Sequence, residues 1–208
     1  MVDDVSVSIA FDDPADKAMI MTIAGGIRIE VGGVELTRQV GQAAYSRQAN
    51  EEEPNETWWY EYTGQPLDAD VIDYKGTVML FVTISGFAEN VLELARGSAE
   101  RFDQLVSEVG DSPHRLVVSY LDGKHDLVRV AYQSSYYEVG GHRTSPVESS
   151  VGYAVSLPEL CREVARCLNE FREYAGVHSP DSGSNSWYQE RVSIADELEQ
   201  YAAGEMSR

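Results

Sequence analysis

Arg115-Leu-Val-Val-Ser-Tyr-Leu121, Asp122-Gly-Lys-His-Asp126 and Leu127-Val-Arg-Val-Ala-Tyr132 read as two apolar, β-branched runs around an Asp-Gly turn. A tight hairpin turn of type I′ needs positive φ at both central residues, which Asp and Gly tolerate. The stretch therefore predicts an antiparallel pair. Outward from it the same grammar recurs. Ile27–Val31, Gly32-Gly33 and Val34–Leu36 predict a second hairpin, and Val5–Phe11 alternates strictly, as a half-buried strand does. Asp12–Asp16 supplies turn residues before a further strand over Ala18–Ile23. Thr37–Gln48 is expected as a short helix with Leu36, Val40, Ala43 and Ala44 inward.

The polar, acidic stretch Ala49–Glu56, broken by Pro54, reads as a loop. Strands are expected near Trp58–Tyr62 and Val71–Tyr74. Thr77-Val-Met-Leu-Phe-Val-Thr-Ile84, apolar on both faces and rich in β-branched residues, predicts the central strand. From Phe87 the period changes to about 3.6. Phe87, Val91, Leu94, Ala95, Phe102, Leu105, Val106 and Val109 predict a helix over 86–109, with Ser85 as N-cap, Gly97 weakening its middle and Gly110 as its stop. Downstream, Ser134–Val139 adds a strand before Gly140-Gly141, and Val151–Val155 another.

A second long helix is expected over 157–175. Ser156-x-x-Glu159 is its capping box, Pro158 lies near its first position and Gly176 is its stop. Its apolar face carries Leu157, Leu160, Cys161, Val164, Leu168, Phe171 and Ala175. Cys167, six residues beyond Cys161, falls about 120° round the axis, so the pair is not placed to bridge. Cys161 is expected in the core and Cys167 at its edge, both reduced. His178–Ser186 has the composition of a linker, and Ser193–Ala203 predicts an acidic helix with Ile194, Leu198 and Tyr201 on one side.

Hairpins and helices come in blocks rather than as βαβ units, so the fold class is α+β. A mostly antiparallel sheet built from hairpins should carry two long amphipathic helices on one face and a short C-terminal helix. The domain reading is a single unit over 1–176, a flexible linker over 177–192 and the acidic helix over 193–208.

Across 208 residues, 35 acids stand against 16 basic residues, a formal net charge of −19. That charge excludes a generic nucleic-acid binder, which needs surplus Lys and Arg. No run reaches the roughly 18 apolar residues of a membrane span. Met1-Val-Asp-Asp-Val lacks the basic start of a secretory signal, so a cytoplasmic protein is expected and the sequon Asn55-Glu-Thr57 goes unused. Lys17, Lys75 and Lys124 are the lysines. The remaining basic residues are arginines, which favour structured carboxylate pairing.

Motifs for chemistry are absent. His114, His125, His142 and His178 lack metal-ligand spacing, no G-x-S-x-G occurs, and no glycine pair leads into a phosphate loop. No catalytic residue, metal site or cofactor is therefore expected. Two aromatic groups stand out: Tyr132, Tyr136 and Tyr137, and the tail pair Trp187-Tyr188, which either make contacts or pack internally. The stronger binding candidate is Glu51, Glu52, Glu53 and Glu56 running into Trp58, Trp59 and Tyr60. Carboxylates steer a cationic partner, and Trp and Tyr are common interface anchors. The expected function is a non-enzymatic acidic protein binding a basic protein partner, of the immunity or inhibitor kind. The competing expectation is an enzyme or small-ligand domain from a salt-adapted host, its acidity serving solvation.

Overall fold

A computed structural model describes residues 3–11, 19–37, 39–40, 71–72, 78–100, 103–109, 114–121, 126–134, 137–139, 142–144 and 152–205. The protein is α+β, with antiparallel strands, two long helices packed against them and two short helices near the C-terminus. Strand β1 (Val5–Phe11) pairs with β2 (Ala24–Val31), and β2 turns through Gly32 and Gly33 into β3 (Val34–Glu35). Both turn glycines have positive φ, +58° and +80°, as the Gly-Gly reading requires. Val7 and Ile9 of β1 share a buried face with Ile27 and Ile29 of β2.

Residues 122–125, the expected Asp-Gly turn, lie outside the described set, and the strands expected on either side of them belong to a second sheet. Strands β8 (His114–Tyr120) and β9 (Leu127–Ser134) pair antiparallel, flanked by β7 (Leu105–Glu108) and β12 (Tyr153–Ser156). Leu116, Val118, Tyr120, Val128, Val130, Tyr132 and Val155 form its core face. Short pairs complete the strands: β4 (Gln39–Val40) with β5 (Val71–Ile72), and β10 (Tyr137–Val139) with β11 (His142–Thr144). The two-residue β6 (Val78–Met79) meets β2 at Ala24.

Several expectations change. Ala18–Ile23 is not a strand: Ile20–Thr22 form a 3₁₀ turn, closed by Thr22 N–H on the Met19 carbonyl. The start of the expected helix over Thr37–Gln48 is strand β4; residues 41–48 lie outside the described set. Thr77–Ile84 is not the central strand, because helix α1 (Leu80–Ala95) begins inside it. Leu80, Phe81, Thr83, Ile84, Ser85, Phe87 and Ala88 are all buried, so the first turns of this helix are enclosed by protein on nearly every side. Helix α1 packs against β2, β7, β8 and the helices that follow. It ends at Gly97 rather than 110: Gly97 has φ +72°, its N–H bonds the Leu94 carbonyl and Ser98 N–H bonds that of Glu93. This is a Schellman stop, and it frees Leu105–Glu108 to become β7.

Helix α2 (Leu157–His178) buries every residue of its expected apolar face and runs past Gly176. Ser156 makes no side-chain cap. The Leu157 N–H instead bonds the Asp126 carbonyl, prolonging the β9–β12 ladder into the helix. Another change is at the expected linker, where α3 (Ser186–Val192) forms and leads into α4 (Ile194–Ala202). Asn185 caps α3 by accepting from Tyr188 N–H at 3.1 Å. Gln189 Nε2 donates to the Ser182 carbonyl, and Asn185 N–H bonds that of Asp181. Ser, Asp, Asn and Gly are linker residues by composition, but here they supply turns and a cap.

Helix α2 also closes an edge of the first sheet. Glu163 accepts from Val7 N–H at 3.2 Å, while Arg166 and the Cys167 thiol donate to the Val7 carbonyl. Nearer the chain start, Asp3 N–H bonds the Ala154 carbonyl of β12 at 3.2 Å. The two sheets thus touch at Asp3, and α2 side chains serve β1 at Val7. Cys167 is fully buried, not at the edge of the core as its angle from Cys161 suggests, because the Val7 backbone covers that side; neither cysteine is in a disulfide.

Candidate functional site

The α3–α4 segment is held on the domain by aromatics. Phe81 of α1 meets Trp187 edge-on and Tyr188 at a tilt, with ring centres 5.1 Å apart in each case. Phe171 of α2 lies 5.1 Å from Phe81 and 6.4 Å from Tyr188. The series continues through Phe11, stacked on Tyr174 at 3.7 Å, to His178. Val192, Ile194, Ala195, Leu198 and Tyr201 complete the buried seam. Trp187-Tyr188 is therefore a packing pair, and Tyr132 is core as well.

Beside this seam runs a cleft of about 450 Å³ between the outer side of α1 and the α3–α4 segment. Glu89, Glu93 and Arg96 recur at helical spacing along one wall; Glu190, Arg191 and Glu197 stand on the other. Leu92 and Ile194, both largely buried, add apolar surface. Two ion pairs join the walls: Arg191 to Glu89 at 2.8 Å and Arg96 to Glu197 at 2.5 Å. Arg191 is further oriented by the Trp187 ring, 4.4 Å from its guanidinium carbon. Glu93 and Glu190 have no ion-pair partner among the described residues. The cleft thus carries a carboxylate excess on a partly apolar base, an arrangement suited to holding a cation.

Two titratable groups nearby are displaced by their settings. Ser179 Oγ at 2.6 Å and Ile20 N–H at 3.2 Å both donate to Asp181 Oδ1. The Ser179 bond foremost holds this carboxyl below its usual range. Burial pushes the Tyr188 hydroxyl up, with Arg172 opposing. Among the described residues no three of His, Cys, Asp and Glu converge to hold a metal ion.

Glu51, Glu52, Glu53, Glu56, Trp58, Trp59 and Tyr60, the binding candidates of the sequence, all lie outside the described residues, as do Tyr136 and His125. The cleft residues were not singled out by sequence. They come from segments about a hundred positions apart, and the readable clue was the aromatic pair Trp187-Tyr188 in a polar tail. Compared with family models, curated proteins and solved structures, the chain matches none. No described helix is long and apolar enough to cross a membrane.

Proposed function

We propose that the protein is a non-enzymatic acidic binding protein that engages a basic protein partner, as an immunity or inhibitor protein does. The observation that carries this reading is the charge of the helical layer. Glu159, Glu163, Glu170, Glu173, Glu190, Asp196, Glu197 and Glu199 stand there against Arg162, Arg166, Arg172 and Arg191. Three of those arginines are already engaged internally: Arg166 with Glu163 and Glu170, Arg172 with Asp196, and Arg191 with Glu89. The surplus steers a cationic surface during encounter, and a few desolvated contacts then set residence time. Within this reading the acidic-aromatic segment Glu51–Tyr60 is a second contact region. Buried, reduced Cys161 and Cys167 accord with action in the cytoplasm.

Capture from host lysate at low salt tests the proposal: a basic protein should be retained, with an association rate that falls steeply as salt rises. Recovery of no basic partner would count decisively against it. A second reading, acidity as adaptation to a saline host, is favoured by acids on the sheets too, among them Glu30, Glu35 and Glu108, and by the scarcity of lysine. It requires the melting temperature to climb in molar KCl. A flat or falling curve removes it.

A further inference from the structure

We infer that the C-terminal end of α2 carries an apolar patch that docks a basic amphipathic segment of the partner; this rests on the proposed function and gives it a desolvated anchor. A large apolar side chain exposed singly is ordinary on a protein surface, whereas here three are gathered. Val177, in the last turn of α2, is 79% exposed, more than any other large apolar residue described. Met19 and Met21, at 50% and 37%, flank Ile20, whose N–H donates to Asp181 Oδ1 at 3.2 Å. Asp181 follows Val177 by four residues, and Ser179 Oγ holds the same oxygen. That carboxylate therefore fixes the two methionines to the end of α2. Tyr174, one helical turn before Val177, and Phe11, stacked on Tyr174 at 3.7 Å, are half-buried and widen the patch.

Charge selects the occupant. Residues 19–23 and 173–185 include Glu173 and Asp181 but no Lys or Arg, and His178 there stacks on Tyr174. Glu173 is exposed one turn before Val177, and the end of a 22-residue helix adds the negative pole of its dipole. The rim is thus negative around an apolar centre. A second copy, also at −19, would bring like charges together, and an anionic bilayer would meet the same repulsion. A segment with apolar side chains on one face and Lys or Arg beside them satisfies centre and rim together, and methionine adapts readily to such side chains.

The full chain is titrated, under two-dimensional NMR, with a blocked peptide of Leu and Lys about four helical turns long whose leucines share one face. A peptide of the same composition with its leucines scattered, and an oligolysine, are the controls. Saturable shifts confined to residues 19–23 and 173–182 are expected with the amphipathic peptide, and at least about tenfold weaker binding with either control. The double variant M19Q/V177Q, checked first for an unchanged melting temperature, should weaken the amphipathic peptide about tenfold. V34Q/V106Q, which alters exposed apolar residues elsewhere, should leave it unchanged. Equal binding of oligolysine, shifts spread over every acidic surface, or no shifts at the end of α2 overturn the assignment. So does a dimer in sedimentation, or binding to lipid vesicles, that M19Q/V177Q abolishes. A captured basic partner held equally tightly by M19Q/V177Q overturns the patch while leaving the acidic-binder reading in place. Failure to capture any partner counts against that reading instead, and the peptide titration still decides the patch.

Discussion

Cys167 donates its thiol proton to the Val7 carbonyl from a fully buried position. Burial pushes its pKa up to about 12, with the Arg166 guanidinium pulling the other way. Since the thiolate is the nucleophile, native protein at pH 8 should give almost no reaction of either cysteine with a thiol reagent. Both should react once guanidinium unfolds the chain; rapid native labelling of Cys167 would contradict its placement. Asp181 behaves oppositely. Its folded pKa lies below the ordinary value of about 3.9, so its contribution is complete above that pH and lost as pH falls through the lowered value. The wild-type melting temperature should therefore fall more steeply than that of Asp181→Asn as pH drops below about 4. Parallel curves would show that the tether from Ile20 to Asp181 adds nothing. The sequence announced neither setting. The six-residue spacing of the cysteines gave their angle correctly, but one apolar stripe does not reveal that a strand backbone covers the next face.

Helix α1 contains two glycines for which one substitution should have opposite signs. Gly86 lies within the helix with nothing within 4 Å of an added Cβ, so Gly86→Ala should stabilise by about 1 kcal/mol. Gly97 holds φ +72° at the Schellman stop, where Gly97→Ala should cost about 1 kcal/mol. Urea midpoints of the two variants measure both; equal signs would place the end of α1 elsewhere. These glycines also explain how the sequence misled. Thr77–Ile84 is an unbroken apolar run, and such a run has no period with which to separate a central strand from a helix enclosed on all sides. Once that run is taken as strand, the helix starts late, Gly97 looks like an interior blemish, and the 3.6 spacing of Leu105, Val106 and Val109 seems to extend it. The first hairpin was legible because its Gly32-Gly33 turn carries a backbone requirement of its own. Gly25 shows a further constraint that no pattern displays: a Cβ there would lie 2.1 Å from the Ala10 carbonyl oxygen. Gly25→Ala should cost about 1–3 kcal/mol by forcing β1 from β2, again read from urea unfolding.

Phe81 joins α1, α2 and the α3–α4 segment, so the whole molecule depends on it. Phe81→Ala should cost about 3–5 kcal/mol and expose residues 179–185 to protease earlier than the rest of the chain. A loss below 1 kcal/mol would mean that the C-terminal helices are docked by other contacts. The cleft was illegible for a reason of scale. Its ion pair between Arg96 and Glu197 spans 101 positions, and a chain with acids throughout offers many equally plausible partners before folding selects one. The closure of β1 by α2 spans more still, 156 positions from Val7 to Glu163. During synthesis at roughly 5–20 residues per second, the first hairpin would leave the ribosome about 8–30 s before the helix that covers it. For that interval its edge is open to any strand nearby. The exposed Ser6 and Ser8 and the charged Arg28 and Glu30 then guard a nascent chain, a task that the finished protein no longer sets them.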